Sequence, residues 1–226
     1  MKTAHPVGIR VDHSEVQGDL TVPEQSSAVV VFAHGSGSSR FSRRNREVAE
    51  QLQRAGLATL LLDLLTGAEE DVDVRTAEFR FDIELLGERV IRAIDWLDRE
   101  SPQRFEGVGL FGASTGAAAA LHAAARRAQG VGAVVSRGGR PDLAGPALPN
   151  VTAPTLLIVG GLDHRVLRLN DAAQRQLGGK HRLAVVYGAT HLFEEPGALD
   201  RVAALAARWF TDHLPGCSAA RGAERK

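Results

Sequence analysis

The chain has 226 residues, enough for one sizeable domain or two small ones, with 44% hydrophobic and 24% charged residues, the balance of an ordinary soluble protein. Lys plus Arg and Asp plus Glu each number 27, so zero net charge gives no electrostatic reason to expect nucleic acid or an anionic membrane as partner. The opening MKTAHPVGIRVDHSE has no apolar core of signal-peptide length, no apolar run is long enough for a bilayer, and the single cysteine, Cys217, excludes an internal disulfide; a cytoplasmic protein is expected.

In chain order, Val7–Val11 and Val16–Val22 read as an antiparallel strand pair joined by a polar turn. Ala28–Ala33 (AVVVFA) is apolar throughout, as a strand buried on both faces must be. A helix over about Ser42–Arg54 ends at Gly56, and strand Ala58–Leu62 leads into a polar loop, Leu64–Arg80. Helix Phe81–Asp98 follows, then strand Val108–Phe111 and the alanine-rich helix Thr115–Arg127. Val131–Val135, Thr155–Val159 and Leu183–Tyr187 are further strands, and Ala198–His213 is the closing helix. Strands separated by helices predict a mostly parallel, doubly wound α/β sheet, an antiparallel pair at its start. No composition break divides it: residues 1–214 are expected to form a single domain, and 215–226 a polar, flexible tail.

In such a sheet chemistry gathers beyond the carboxyl ends of the strands, so a candidate should sit just after one. Ser114 does, in Gly112-Ala113-Ser114-Thr115-Gly116. This G-x-S-x-G falls between a strand and a helix, where the turn projects a serine hydroxyl above the sheet edge and leaves no room for side chains beside it. A hydroxyl needs a base to become a nucleophile. Of eight histidines, His191 directly follows the last strand; His34 precedes Gly35, where a backbone role fits better, and His164 stands beside an acid. The acid that would orient the imidazole is Asp163, which ends TLLIVGGLD; Asp142 stands further from its strand, and Asp63 precedes the serine in the chain. The order Ser114, Asp163, His191 differs from those of the chymotrypsin and subtilisin types. The glycine-rich loop HGSGSS could supply an oxyanion donor: the Ser36 amide is expected beside that of Thr115, with Gly35 and Gly37 as alternatives that would also border a substrate.

With HGSGSS at His34–Ser39, GASTG at Gly112–Gly116, Asp163 after its strand and GATH at Gly188–His191, the chain resembles a small α/β-hydrolase of the dienelactone hydrolase-like group, from about Val16 to Leu214. The resemblance implies an α/β-hydrolase fold with a minimal cap. It departs at the nucleophile, where dienelactone hydrolase proper has a cysteine and this chain has Ser114. The function expected is serine hydrolysis of a small-molecule carboxylic ester or lactone through an acyl-enzyme, with no metal and no cofactor. A thioesterase or small peptidase on the same residues, and a non-catalytic ligand-binding module, are the alternatives. Because dienelactone hydrolases act on acidic lactones, Arg137 and Arg140 in VVSRGGRPD are expected to recognise a substrate carboxylate.

Other signals lead elsewhere. Gly107–Gly112 matches G-x-G-x-x-G, but its first two glycines open the strand instead of following it, so no dinucleotide site is expected. Arg40, Arg43, Arg44 and Arg46 read as a solvated helix face. Glu69, Glu70, Asp71 and Asp73 lack calcium-loop spacing and read as an exposed acidic turn.

Overall fold

A computed structural model describes residues 4–216. Cys217 and most of the 215–226 tail lie outside the described residues. Eight strands form one sheet: β1 (His5–Val11), β2 (Ser14–Thr21), β3 (Ala28–Ala33), β4 (Ala58–Leu62), β5 (Gly107–Ala113), β6 (Ala133–Arg137), β7 (Thr155–Gly160) and β8 (His181–Val186), in the order β1-β2-β4-β3-β5-β6-β7-β8. Strand β2 is antiparallel to β1 and β4; every pairing from β4 through β8 is parallel.

The alternation of side chains along β3 explains its unbroken apolar run. Val29, Val31 and Ala33 enter one core, and Ala28, Val30 and Phe32 the other. Helices α3 (Ile83–Arg99), α4 (Thr115–Arg126) and α5 (His164–Gln174) cover the first core. Helices α1 (Arg43–Arg54) and α6 (Ala198–His213) cover the second. This is the doubly wound sheet expected, and it puts the ends of β3, β5, β6, β7 and β8 along one edge.

Two local differences matter for the site. The expected polar loop contains a helix, α2 (Gly67–Thr76), started by a reciprocal cap: Thr66 Oγ1 accepts from the Glu69 amide, and Glu69 Oε2 accepts from the Thr66 amide at 2.7 Å. Its four acids are therefore helical rather than an exposed turn, and Asp73 is buried. Hydrophobic periodicity cannot reveal such a helix, because it has no apolar face. Strand β6 also runs two residues later than expected, so Arg137 ends the strand instead of following it.

Candidate active site

Strand β5 ends at Ala113 and α4 starts at Thr115, leaving Ser114 alone to make the reversal. Its backbone sits at φ +51° and ψ −119°, a conformation that costs a non-glycine residue about 1–3 kcal/mol. The flanking glycines make the turn sterically possible. A Cβ at Gly112 would strike the Ala117 backbone, and one at Gly116 the carbonyls of Ala33 and His34. The Ser114 amide donates to the Arg137 carbonyl at 3.2 Å, and its carbonyl accepts from the Arg140 amide at 3.1 Å.

Asp163 caps the N-terminus of α5, its Oδ1 accepting from the Val166 amide at 3.2 Å. Its other oxygen, Oδ2, lies 2.7 Å from His191 Nδ1. An ionised carboxylate can only accept, so the shared proton belongs on Nδ1 and the lone pair on Nε2. The Asp163 side chain is 14% exposed and that of His191 38%, so the acid is shielded while the imidazole reaches solvent. Glu195 braces the histidine loop by accepting from the Thr190 amide at 3.0 Å, and hydrogen bonding from Thr190 holds its carboxyl below the usual value. Gly138, within the segment that binds the Ser114 backbone, packs on the imidazole: a Cβ there would lie 3.5 Å from His191 Cε1. One short segment thus borders both the serine and the histidine.

The rival acids are engaged elsewhere. Asp142 binds Arg140 through both oxygens, at 2.8 and 2.7 Å, and Asp63 accepts from the amide and guanidinium of Arg40.

The glycine-rich loop after β3 lies over Ser114, with a Cβ at Gly35 falling 3.2 Å from the serine Cβ. Thr115 is the first residue of α4, so its amide has no intrahelical acceptor. Ser36 differs from expectation: its amide is not an open donor but bonds Thr115 Oγ1 at 2.8 Å. Gly37, at φ +66°, turns beside the guanidinium of Arg80. The His34 ring anchors the loop's start, Nδ1 donating to the Gly35 carbonyl at 2.9 Å and Nε2 accepting from the Leu64 amide at 3.1 Å. The Nε2 bond requires the neutral ring, and burial pushes its pKa below the ordinary value despite the Gly35 contact.

Beside this loop is a small hollow of about 10 Å³, walled by Ser36, Leu64, Leu65, Arg80, Leu86 and Thr115. Arg80 is fixed there by Asp73, whose Oδ2 accepts from Nε at 2.7 Å and whose carbonyl accepts from Nη2 at 2.6 Å. Burial opposes ionisation of Asp73, but hydrogen bonds from Arg80 and the Phe79 amide outweigh it and hold the carboxyl below its usual value. The sequence reading missed this wall; the T-x-x-E cap at Thr66–Glu69 was the available signal for its helix.

The arginines expected to meet a substrate carboxylate are placed otherwise. Arg137, being inside β6, alternates onto the α1 face, where it is 7% exposed and donates to Asn45 Oδ1 at 3.1 Å. Burial and the neighbouring Arg44 pull its pKa down to about 10. Arg140 has its fork filled by Asp142, which raises its pKa. Among the described residues no cluster of three or more His, Cys, Asp or Glu could hold a metal ion, and no helix is long and apolar enough to cross a membrane.

Residues 16–214 match the model of the dienelactone hydrolase family. The chain belongs to that family. It is 55% identical to a dienelactone hydrolase from Anabaena variabilis, whose crystal structure superposes with a TM-score of 0.91 over 94% of this chain and 99% of that one. Est1E from Butyrivibrio proteoclasticus, 16% identical over 92% of this chain and 98% of its own, shares the fold with a TM-score of 0.76. Two Mycobacterium tuberculosis proteins provisionally named phosphoribosyl transferases are 61% identical over 201 residues, 89% of this chain. The chain spans only 44% of their length. Family model and superposition agree on the α/β-hydrolase fold.

Proposed function

We propose that this family member is a serine hydrolase cleaving a small-molecule carboxylic ester or lactone through an acyl-enzyme. The observation that carries the reading is the 2.7 Å contact of Asp163 with His191 Nδ1, which leaves the Nε2 lone pair as acceptor, while Ser114 stands on a strained strand-to-helix turn at the same edge of the sheet. In this reading the Ser114 oxygen attacks the carbonyl while its proton passes to His191 Nε2. Asp163 holds the tautomer and stabilises the imidazolium. The oxyanion takes the Thr115 amide and the Ser36 amide, the latter turning from Thr115 Oγ1 toward the developing charge. His191 returns the proton to the leaving alkoxide, then activates water to release the acid. A lactone keeps its leaving group tethered, and water completes the opening in the same way.

We read the transferase name of the mycobacterial relatives as belonging to the part of them that this chain does not span. The test is labelling by a fluorophosphonate probe, followed by turnover of esters, lactones and thioesters of varied acyl length. Labelling lost in Ser114→Ala, with ester or lactone turnover lost in parallel, is the expected result. An unlabelled native protein would leave the pocket a binding site and overturn the reading.

A further inference from the structure

Asn170 is fully buried on α5, two turns beyond Asp163. Its Nδ2 donates to two carbonyls, Val166 at 2.8 Å and Gly139 at 2.9 Å. Only the nitrogen end of the amide can serve two carbonyl oxygens, so the side chain's orientation is settled by its partners. Its Oδ1 is buried without a hydrogen-bond partner, which costs about 1–3 kcal/mol. An apolar side chain would avoid that penalty but would leave the Gly139 carbonyl without this donor. The bond to Val166 is a local helix contact. The bond to Gly139 reaches a segment 31 residues away.

That segment has unusual connections. The Arg137 carbonyl and the Arg140 amide hold the two backbone polar groups of Ser114, Gly138 packs on the His191 ring, and the Gly138 amide is tied to the Ile158 carbonyl on β7 at 2.8 Å. Helix α5, meanwhile, carries Asp163 at its head, with Val166 between: its amide bonds the acid, its carbonyl Asn170.

We propose that Asn170 is a positioning residue: by gripping Gly139 from α5 it holds segment 137–140, and through it Ser114 and His191, in fixed relation to Asp163. It touches no reacting atom. The proposal rests on the serine-hydrolase reading above, and it assigns one side chain the task of coupling the acid's helix to the segment that borders the other two groups.

The experiment compares native protein with Asn170→Leu, Asn170→Asp and Asn170→Ser. Leu and Asp remove the donor at similar size; Ser is too short to reach Gly139. Each is followed by thermal unfolding, by the bimolecular rate of fluorophosphonate labelling, and by kcat and KM on p-nitrophenyl acetate. Labelling isolates the geometry around Ser114 from substrate binding. Variants that melt cooperatively should label about 10–100-fold more slowly and lose kcat by a similar factor, with KM within about twofold, the signature of an interaction felt only in the transition state. Folded variants labelling within about twofold of native would overturn the proposal, as would failure of all three to fold, which would make Asn170 structural. Failure of the native protein to label would instead remove the serine-hydrolase reading on which the proposal rests.

Discussion

The amide of Ser36 donates to Thr115 Oγ1 across 2.8 Å, joining the loop after β3 to the residue that follows Ser114. The Ser36 and Thr115 amides are the two donors the sequence suggests for one oxyanion, and this bond ties the loop that carries the first to the residue that carries the second. Thr115 is 3% exposed, so valine fits its place without the hydroxyl. Thr115→Val should therefore fold, release the loop, and lower kcat about 10–100-fold, part of the roughly 3 kcal/mol that one oxyanion donor supplies. Thr115→Ser should keep most of the activity. Native kcat in the valine variant would mean that the bond has no part in placing Ser36.

The choice between Asp163 and Asp142 is tested by charge-neutral substitution. Asp163→Asn replaces an acceptor with an amide that cannot hold the Nδ1 tautomer, and should lower kcat about ten-thousandfold. Asp142→Asn gives up an ion pair with Arg140 whose partners are both about three-tenths exposed, worth about 1 kcal/mol or less, and should leave kcat within about threefold. The reverse ranking in steady-state kinetics would show the acid to be misassigned.

What the sequence discloses about the site follows from how local the cause is. The strain at Ser114 is accommodated by Gly112 and Gly116, two residues away on either side, so the turn can be read in five letters. Asp163 and His191 are 28 residues apart, yet each follows a parallel strand, and parallel neighbours deliver their carboxyl ends to one edge. The Ser36–Thr115 bond spans 79 residues and depends on side-chain orientation, which no spacing encodes. Arg137 was misplaced by a two-residue error in a strand boundary; with a period of two, the boundary decides whether the residue belongs to a loop or faces a core. Helix α2 escaped notice because its start lies in a polar cap rather than in a buried face.

His34 links stability to pH. Its folded pKa lies below the ordinary 6.5 because the ring is buried, so between the two values the unfolded chain binds the proton that the folded chain refuses. The contribution is therefore present in full above 6.5 and is lost as pH falls toward and through the lowered value. Protonation would also turn Nε2 into a donor facing the Leu64 amide, with which it now pairs as acceptor. Urea unfolding of native protein and His34→Gln at pH 7.5, 6.5 and 5.5 should show their stability difference shrinking with acid. A difference constant across that range would separate His34 from the pH response.

Arg137 tests whether a cation at this edge of the sheet serves substrate or only burdens the fold. Its guanidinium is buried, carries an Nε without a partner, has Arg44 as a like-charged neighbour, and donates one bond, to Asn45 Oδ1. Lowering its pKa from the ordinary arginine value to about 10 corresponds to a penalty on the charged form of about 3–4 kcal/mol, at about 1.4 kcal/mol per unit. Arg137→Met removes that penalty at similar length and leaves Asn45 Oδ1 unpaired, a loss of about 1–3 kcal/mol. The two effects nearly cancel, so Tm should stay the same or rise slightly, and the Arg137 carbonyl still holds the Ser114 amide. Because the side chain faces α1, the ratio of kcat/KM for an acidic ester to that for its neutral isostere should be unchanged. Arg140→Gln should leave that ratio unchanged too, since Asp142 already fills its fork. A Tm drop of more than about 5 °C in Arg137→Met would make the buried cation net stabilising. A selective loss of the acidic ester in either variant would restore carboxylate recognition to that arginine.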